Sequence, residues 1–280
     1  MSVRRLALYL ILLGCSLLLL LPLAYLTCAA FKPNADFFTS LFLPVGNGFG
    51  GIAWERLTLA HFGRLFNDLS FGNHVLNSFF LASVTSVLAT LFCAMGGYAL
   101  AKFRFRGRGV LTTLVLSAII VPGALLLAPT YQLLYRLGLL DTFAGVILPA
   151  AVPAFGVYLF RQAILSSVPD SLLEAARIDG CGEFRTFFTM VLPMVRPMTG
   201  AFLLITYLGT WNNFIWPQVV LQSADKQPLS VAIAQLKSVY SQDYGMLMAG
   251  TLVSVAPVLI LFIVLQREFI AGLTSGAVKG

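Results

Sequence analysis

The chain has 280 residues, of which 59% are hydrophobic and 10% charged, with a formal net charge of +7. Soluble domains carry roughly 25% charged residues, so the main solvent of this chain is lipid. The excess of cations does not indicate nucleic acid, because no basic cluster has the density or aromatic interleaving that tracks phosphates; the four scattered cysteines and two histidines show no metal-ligand spacing and leave nucleophilic chemistry few candidates.

Arg4 and Arg5 precede an apolar run from Leu6 to about Phe31, long enough at about 1.5 Å per residue to cross a hydrocarbon core of about 30 Å. Ala29 and Ala30 would suit signal cleavage, but the run exceeds the roughly 7–15 residues of a signal core, so it reads as a first spanning helix over 1–31. Residues 32–73 form an outer loop rich in Gly, Asn and Pro, with Gly46 to Gly51 expected to be flexible. Within it Leu59, Phe62, Leu65 and Phe66 recur at helical spacing, which predicts a short amphipathic helix acting as a packing lid. The rest of the chain, 74–280, holds five further spans.

The second span is expected from about His74 to Leu100, closed by the four cations between Lys102 and Arg108. The third covers Val110 to Tyr131, with kinks at Pro122-Gly123 and Pro129. The fourth covers Thr142 to Phe160 and contains Pro149 and Pro153; this density of proline hints at a lined cavity. A fifth runs from Met198 to Val220, and after a polar stretch a sixth runs from Met246 to Leu265. Assigning the connections alternately puts 12 Lys and Arg on one face against 6 on the other and leaves the whole net charge on the first. The positive-inside rule makes that face cytoplasmic, with both termini on it.

Between the fourth and fifth spans lies the longest charged interruption, Ser171 to Pro197, with Glu174, Arg177, Asp179, Glu183, Arg185 and Arg196. Such charges do not sit unpaired in hydrocarbon. Ser171 and Glu174 have capping-box spacing, and Gly180 and Gly182 are expected to stop the helix they begin. Phe184, Phe187, Phe188 and Val191 then start a second helix, giving a helix-turn-helix in the cytoplasm. It could rest on the bilayer or dock in a groove of a soluble partner.

Glu174-Ala-Ala-Arg-Ile-Asp-Gly180, followed by Leu192-Pro193 and Pro197, resembles the EAA signature of binding-protein-dependent ABC importer permeases. Asn77-Ser78, Tyr98 to Gly107, Trp211-Asn212-Asn213 and Gly272 to Gly280 resemble its carbohydrate-uptake branch, which includes the smaller permease of the maltose system. The likeness runs from about Asn73 onward, with Cys181 where the family commonly has alanine. It implies an all-α type I importer permease fold with six transmembrane helices and a coupling loop over 166–197. It also implies two ATP-binding subunits, a second permease, a soluble or lipid-anchored sugar-binding protein and residence in the bacterial inner membrane. Glu174, Ala175, Ala176, Arg177, Asp179 and Gly180 would then form the coupling surface, with Glu174 at the rim, the alanines as the close-packing face and Gly180 as the turn.

The chain carries no G-x-x-x-x-G-K-[ST] phosphate loop, so ATP hydrolysis is expected in a separate subunit, and neither cofactor nor catalytic residue is expected here. Trp211, Asn212, Asn213 and Gln218 offer ring and amide chemistry suited to a sugar; alternatively Asn212 and Asn213 bond across helices. A secondary transporter would need intramembrane acidic residues and an intramembrane enzyme a catalytic set, and the spans show neither at mid-depth. A non-sugar solute remains the alternative within the same family.

Overall fold

The computed structural model describes residues 3–239 and 243–277. Among them there is no strand, only an isolated antiparallel bridge between Val45 and Ile52. Two compact units divide the described residues: those up to Val75 with Val231–Leu259, and Leu76–Ser230 with those from Ile260 onward.

Helix α1 (Val3–Ala30) is apolar on every side and keeps Pro22 inside. In the 32–73 loop, Gly46 to Gly51 forms a turn. The Val45–Ile52 bridge closes it, and Gly50 and Gly51 take positive φ at its tip. Helix α2 (Ala60–Asp68) forms where the amphipathic spacing predicts and buries His61 and Leu65. It is a packed element: His61 Nε2 lies 2.9 Å from the carbonyl of Lys32, and Phe62 packs on Phe31. Arg64 pairs with Asp243, which also accepts from Asn34 at 2.9 Å.

Helix α3 (Phe71–Lys102) crosses as one piece. Three spans do not. Helix α4 (Arg108–Ile120) and the segment Gly123–Arg136, which contains α5 (Leu127–Arg136), meet at 98°. Val121 is the cause: a residue before proline avoids helical backbone, and it sits extended at ψ 119°. Pro129 makes no kink, because it falls in the first turn of α5, where its missing N–H would have had no helical partner. Helices α6 (Phe143–Ala150) and α7 (Ala154–Ser167) meet at 43° across the Pro149 and Pro153 region, so the fourth span runs further than Phe160. Thr142 caps α6, its hydroxyl accepting from the Gly145 N–H at 3.1 Å.

Val168, again before a proline, ends α7 in extended backbone. Helix α8 (Asp170–Ile178) follows, then α9 (Glu183–Thr186), a π-helical turn over Phe187–Val191 and α10 (Leu192–Met194). The chain bends 85° into α11 (Arg196–Trp211). The fifth span does not continue unbroken to Val220: it stops at Trp211, and a separate α12 (Ile215–Val220) resumes after Asn212 to Phe214. The expected polar stretch after it contains α13 (Leu229–Val239), whose Leu229, Val231 and Leu236 are buried. Helix α14 (Tyr244–Ala277) extends past the expected end of the last span. Residues 278–280, the end of the terminal motif, lie outside the described residues. With each bent pair counted as one span, six segments among the described residues are long and apolar enough to cross a membrane.

In the second unit α3, α7 and α11 share a core of Cys93, Tyr98, Val157, Phe160 and Phe202, joined by Leu173, Phe187 and Val191 of the charged segment. Gly97 permits the approach of α3 to α7: a Cβ there would lie 2.7 Å from the backbone nitrogen of Arg161. The charged segment is thus packed on the same core as the spans.

Candidate functional site

Helix α8 begins two residues before the capping-box reading places it. Pro169 holds the N-cap position with no side-chain cap bond, so Ser171 lies inside the first turn and does not cap. Asp170 instead puts a negative charge at the N-terminus, favourable to the helix dipole. At the other end the expectation for Gly180 holds, with φ +76°. The Gly180 N–H donates to the Arg177 carbonyl at 3.1 Å and the Cys181 N–H to the Ala176 carbonyl at 2.9 Å, the two bonds of a Schellman stop with Asp179 as the capping residue. Gly182 plays no part in the stop; it is the extended residue that opens α9.

The helix has two faces. Leu173 and Ala176 are buried, whereas Glu174, Ala175, Arg177, Ile178 and Asp179 are exposed. The two alanines therefore lie on different faces: Ala176 is buried in this chain's own core, and Ala175 is exposed. Ile178 is 87% exposed and Phe184, beyond the turn, 71%. Large apolar side chains so placed beside charges belong to an interaction surface more readily than to open water.

Side chains fasten this segment to the end of α3. Lys102 Nζ donates to Asp170 Oδ1 at 2.5 Å and to the Val168 carbonyl at 2.6 Å. Tyr98 OH donates to Glu183 Oε2 at 2.8 Å, and Arg177 Nε donates to Glu183 Oε1 at 2.9 Å. The hydrogen bond and charge of Lys102 hold the Asp170 carboxyl below its usual range, and those of Glu183 raise the Arg177 guanidinium further. Lys102, Arg104, Asp170, Glu174, Arg177 and Glu183 line a cavity of about 720 Å³. Sequence reasoning missed Tyr98, Lys102 and Glu183 as site residues. The available signal was the spacing of Tyr98 and Lys102, one turn apart at the end of a span.

The four solute-path candidates separate. Trp211 is buried and stacks on Tyr207 with ring centroids 6.0 Å apart. Asn212 is exposed and donates to the Leu208 carbonyl of its own helix at 2.9 Å. Gln218 is exposed on α12. Asn213 accepts from the Trp216 N–H at 3.3 Å, capping α12, and it lines a cavity of about 410 Å³ with Gly123, Thr130, Pro149 and Trp216.

A polar tie not singled out from the sequence lies at Asp141. This residue takes φ +55°, and its carboxylate accepts from the N–H groups of Gln222 at 3.0 Å and Ser223 at 2.9 Å. The Ser223 hydroxyl at 2.5 Å and Lys226 Nζ at 2.8 Å complete the set. The hydrogen bonds of Lys226 and Ser223 hold the carboxyl far below the usual carboxylate range. Close by, Asn77 Nδ2 donates to the Asp225 carbonyl at 2.7 Å and Ser78 Oγ accepts from the Leu229 N–H at 2.7 Å, which gives the Asn-Ser pair inside α3 a structural role.

Residues 86–269 match the family described as binding-protein-dependent transport system inner membrane component. The chain is 40% identical over 268 residues to the arabinooligosaccharides transport system permease protein AraQ of Halalkalibacterium halodurans, covering 92% of this chain and 91% of that one. It is 36% identical over 203 residues to the lactose transport system permease protein LacG of Rhizobium radiobacter, covering 72% and 74%. Among solved structures, a chain of a bacterial ABC transporter involved in the import of the acidic polysaccharide alginate superposes with a TM-score of 0.79 at 25% identity, covering 96% of this chain and 99% of that one. With its spans, its helix-turn-helix and these relatives, the chain belongs to the binding-protein-dependent transport system inner membrane components and is the membrane-spanning permease subunit of an ABC importer, not an ATPase itself.

Proposed function

We propose that the protein passes a sugar or similar hydroxyl-rich solute, delivered by a binding protein, across the membrane, and that segment 166–197 couples this movement to closure of two partner ATPase subunits. A second permease supplies the other half of the path. The coupling reading is carried by one observation: a water-compatible helix-turn-helix, packed on the core of the spans through Leu173, Phe187 and Val191, presents Ile178 and Phe184 outward beside Glu174 and Arg177. Apolar side chains seat in a partner's groove and the charges pair at its rim. Glu174, Ala175, Arg177, Asp179 and Gly180 serve the outer surface of this lever, and Ala176 serves its attachment. The Lys and Arg asymmetry supports a cytoplasmic position for this segment and for both termini.

The sugar reading rests on relatives 36–40% identical that are named for arabinooligosaccharides and lactose. Calorimetry of the cognate binding protein against a panel of sugars tests it directly, and an amino acid or metal ion as ligand would overturn it. The coupling reading is tested by Glu174→Ala and Gly180→Ala, each assayed for ATPase association and uptake. Both activities should fall, and normal assembly with normal transport in both variants would remove the lever.

A further inference from the structure

Three spans of the second unit break at nearly the same depth. Counted from their charged ends, α4 runs 13 residues from Arg108 to its break, α7 runs 14 back from Ser167, and α11 runs 16 from Arg196. At about 1.5 Å per residue these are about 20, 21 and 24 Å, or roughly two-thirds of a hydrocarbon core of about 30 Å. The break residues converge: Gly123 from the first, Pro149 from the second, and Asn213 with Trp216 from the third line the cavity of about 410 Å³. Leu127 and Thr130 complete its wall.

Non-helical backbone at such depth leaves carbonyl and N–H groups that lipid cannot satisfy, and it persists only against protein or a water-filled space. Ile120 and Ile215 are 81% and 61% exposed beside two of the breaks. The cavity lining carries no Lys, Arg, Asp or Glu, so it suits no charged solute. It does carry hydrogen-bonding groups. Asn213 uses Oδ1 to cap α12, which leaves its Nδ2 hydrogens; Thr130 adds a hydroxyl; and Trp216 adds a ring whose Nε1 is buried without an acceptor.

We propose that this cavity is a solute-contact subsite for a neutral, hydroxyl-rich solute. The Trp216 ring takes an apolar sugar face, and the Asn213 amide and the Thr130 hydroxyl take its hydroxyls. The mostly apolar wall gives few fixed bonds, which suits a solute in passage. The identity of the solute rests on the sugar reading above, whereas access of water to the cavity does not.

The test uses the assembled transporter in proteoliposomes, with Cys15, Cys28, Cys93 and Cys181 replaced in this chain. Thr130→Cys and Ala150→Cys are compared with Leu18→Cys, a residue 71% exposed on the apolar α1. A charged methanethiosulfonate should modify the two cavity cysteines at least about tenfold faster than Leu18→Cys in the nucleotide-free or the ATP-bound state. Rates equal to that of Leu18→Cys in both states would overturn the proposal and place the breaks against protein. With arabinotriose and its binding protein as the probe, Trp216→Ala should lower uptake about tenfold and Trp216→Phe less than about threefold. Undiminished uptake by Trp216→Ala would remove the contact. If the unaltered transporter carries no arabinotriose, the sugar reading fails by itself, and the thiol rates still decide the cavity.

Discussion

The two polar ties of the second unit are built differently. Glu183 is held by the side chains of Tyr98 and Arg177, and Asp170 by the side chain of Lys102, whereas Asp141 is held by two main-chain N–H groups as well as Ser223 and Lys226. The first arrangement fastens the segment mainly through its carboxylates, with one bond, from Lys102 Nζ to the Val168 carbonyl, reaching its main chain. The second fixes the backbone of one connection to that of another. The proposed lever, from which Ile178 and Phe184 project, is tied in the first way and the connection at Asp141 in the second.

Substitutions can break this contrast in order of severity. Gly97→Val should have the largest effect, because its Cβ meets the backbone of α7 and the added methyls force α3 away from the core that carries Tyr98. Overpacking of this kind costs about 3 kcal/mol at the upper end, and yield and melting temperature of the purified complex should both fall. Asp141→Ala leaves two N–H groups and a hydroxyl without their acceptor and takes the carboxylate from Lys226, which keeps only the main-chain carbonyl of residue 141. Melting should fall by several degrees, with uptake declining in step and no selective loss of coupling.

Gly180→Ala places a Cβ at φ +76°, a penalty of about 1 kcal/mol. It tilts the turn between α8 and α9, so uptake per ATP hydrolysed should fall more than stability does. Glu183→Gln keeps an acceptor for Tyr98 but loses the charge opposite Arg177, a half-exposed pair worth about 0.5 kcal/mol. Stability should barely change, and the stimulation of ATP hydrolysis by the binding protein should weaken. Equal effects of Glu183→Gln and Asp141→Ala on coupling would erase the distinction between the two ties.

The smallest effect expected is that of pH. Asp141 and Asp170 both have carboxyls lowered in the folded protein, Asp141 first by Lys226 and Asp170 first by Lys102. Lowered carboxyls contribute stability that is complete above the unfolded value of about 3.9 and is lost only as pH falls through the folded one. Their contributions should stay flat from about pH 8 to about pH 5. A melting temperature that drops across that range in the wild type but not in Asp141→Ala would contradict the assignment.

Apolar run length made the spans legible in the sequence, since about 20 consecutive apolar residues have few other uses. Proline chemistry made the break at Pro122 legible, and the positive φ at Gly180 followed from glycine before two further turn residues. The break after Trp211 was not legible, for it contains no proline and arises where Asn213 turns back to cap α12. Pro129 misled because a proline kinks a helix only beyond its first turn. Helix α13 was hidden by Gln235 and Lys237 among its buried apolar residues. The partnership of Glu183 with Tyr98 spans 85 residues, and no local pattern encodes it.

The most direct test of the coupling account is retention of the cognate ATPase subunits by solubilised permease complexes carrying Ile178→Asp. Placing a carboxylate on the most exposed apolar residue of α8 leaves the buried attachment through Leu173 and Ala176 intact. An apolar anchor in a partner's groove predicts retention below about a tenth of the wild-type amount, with the permease pair still assembled. Full retention together with normal uptake would contradict the claim that this helix-turn-helix is where the ATPases dock.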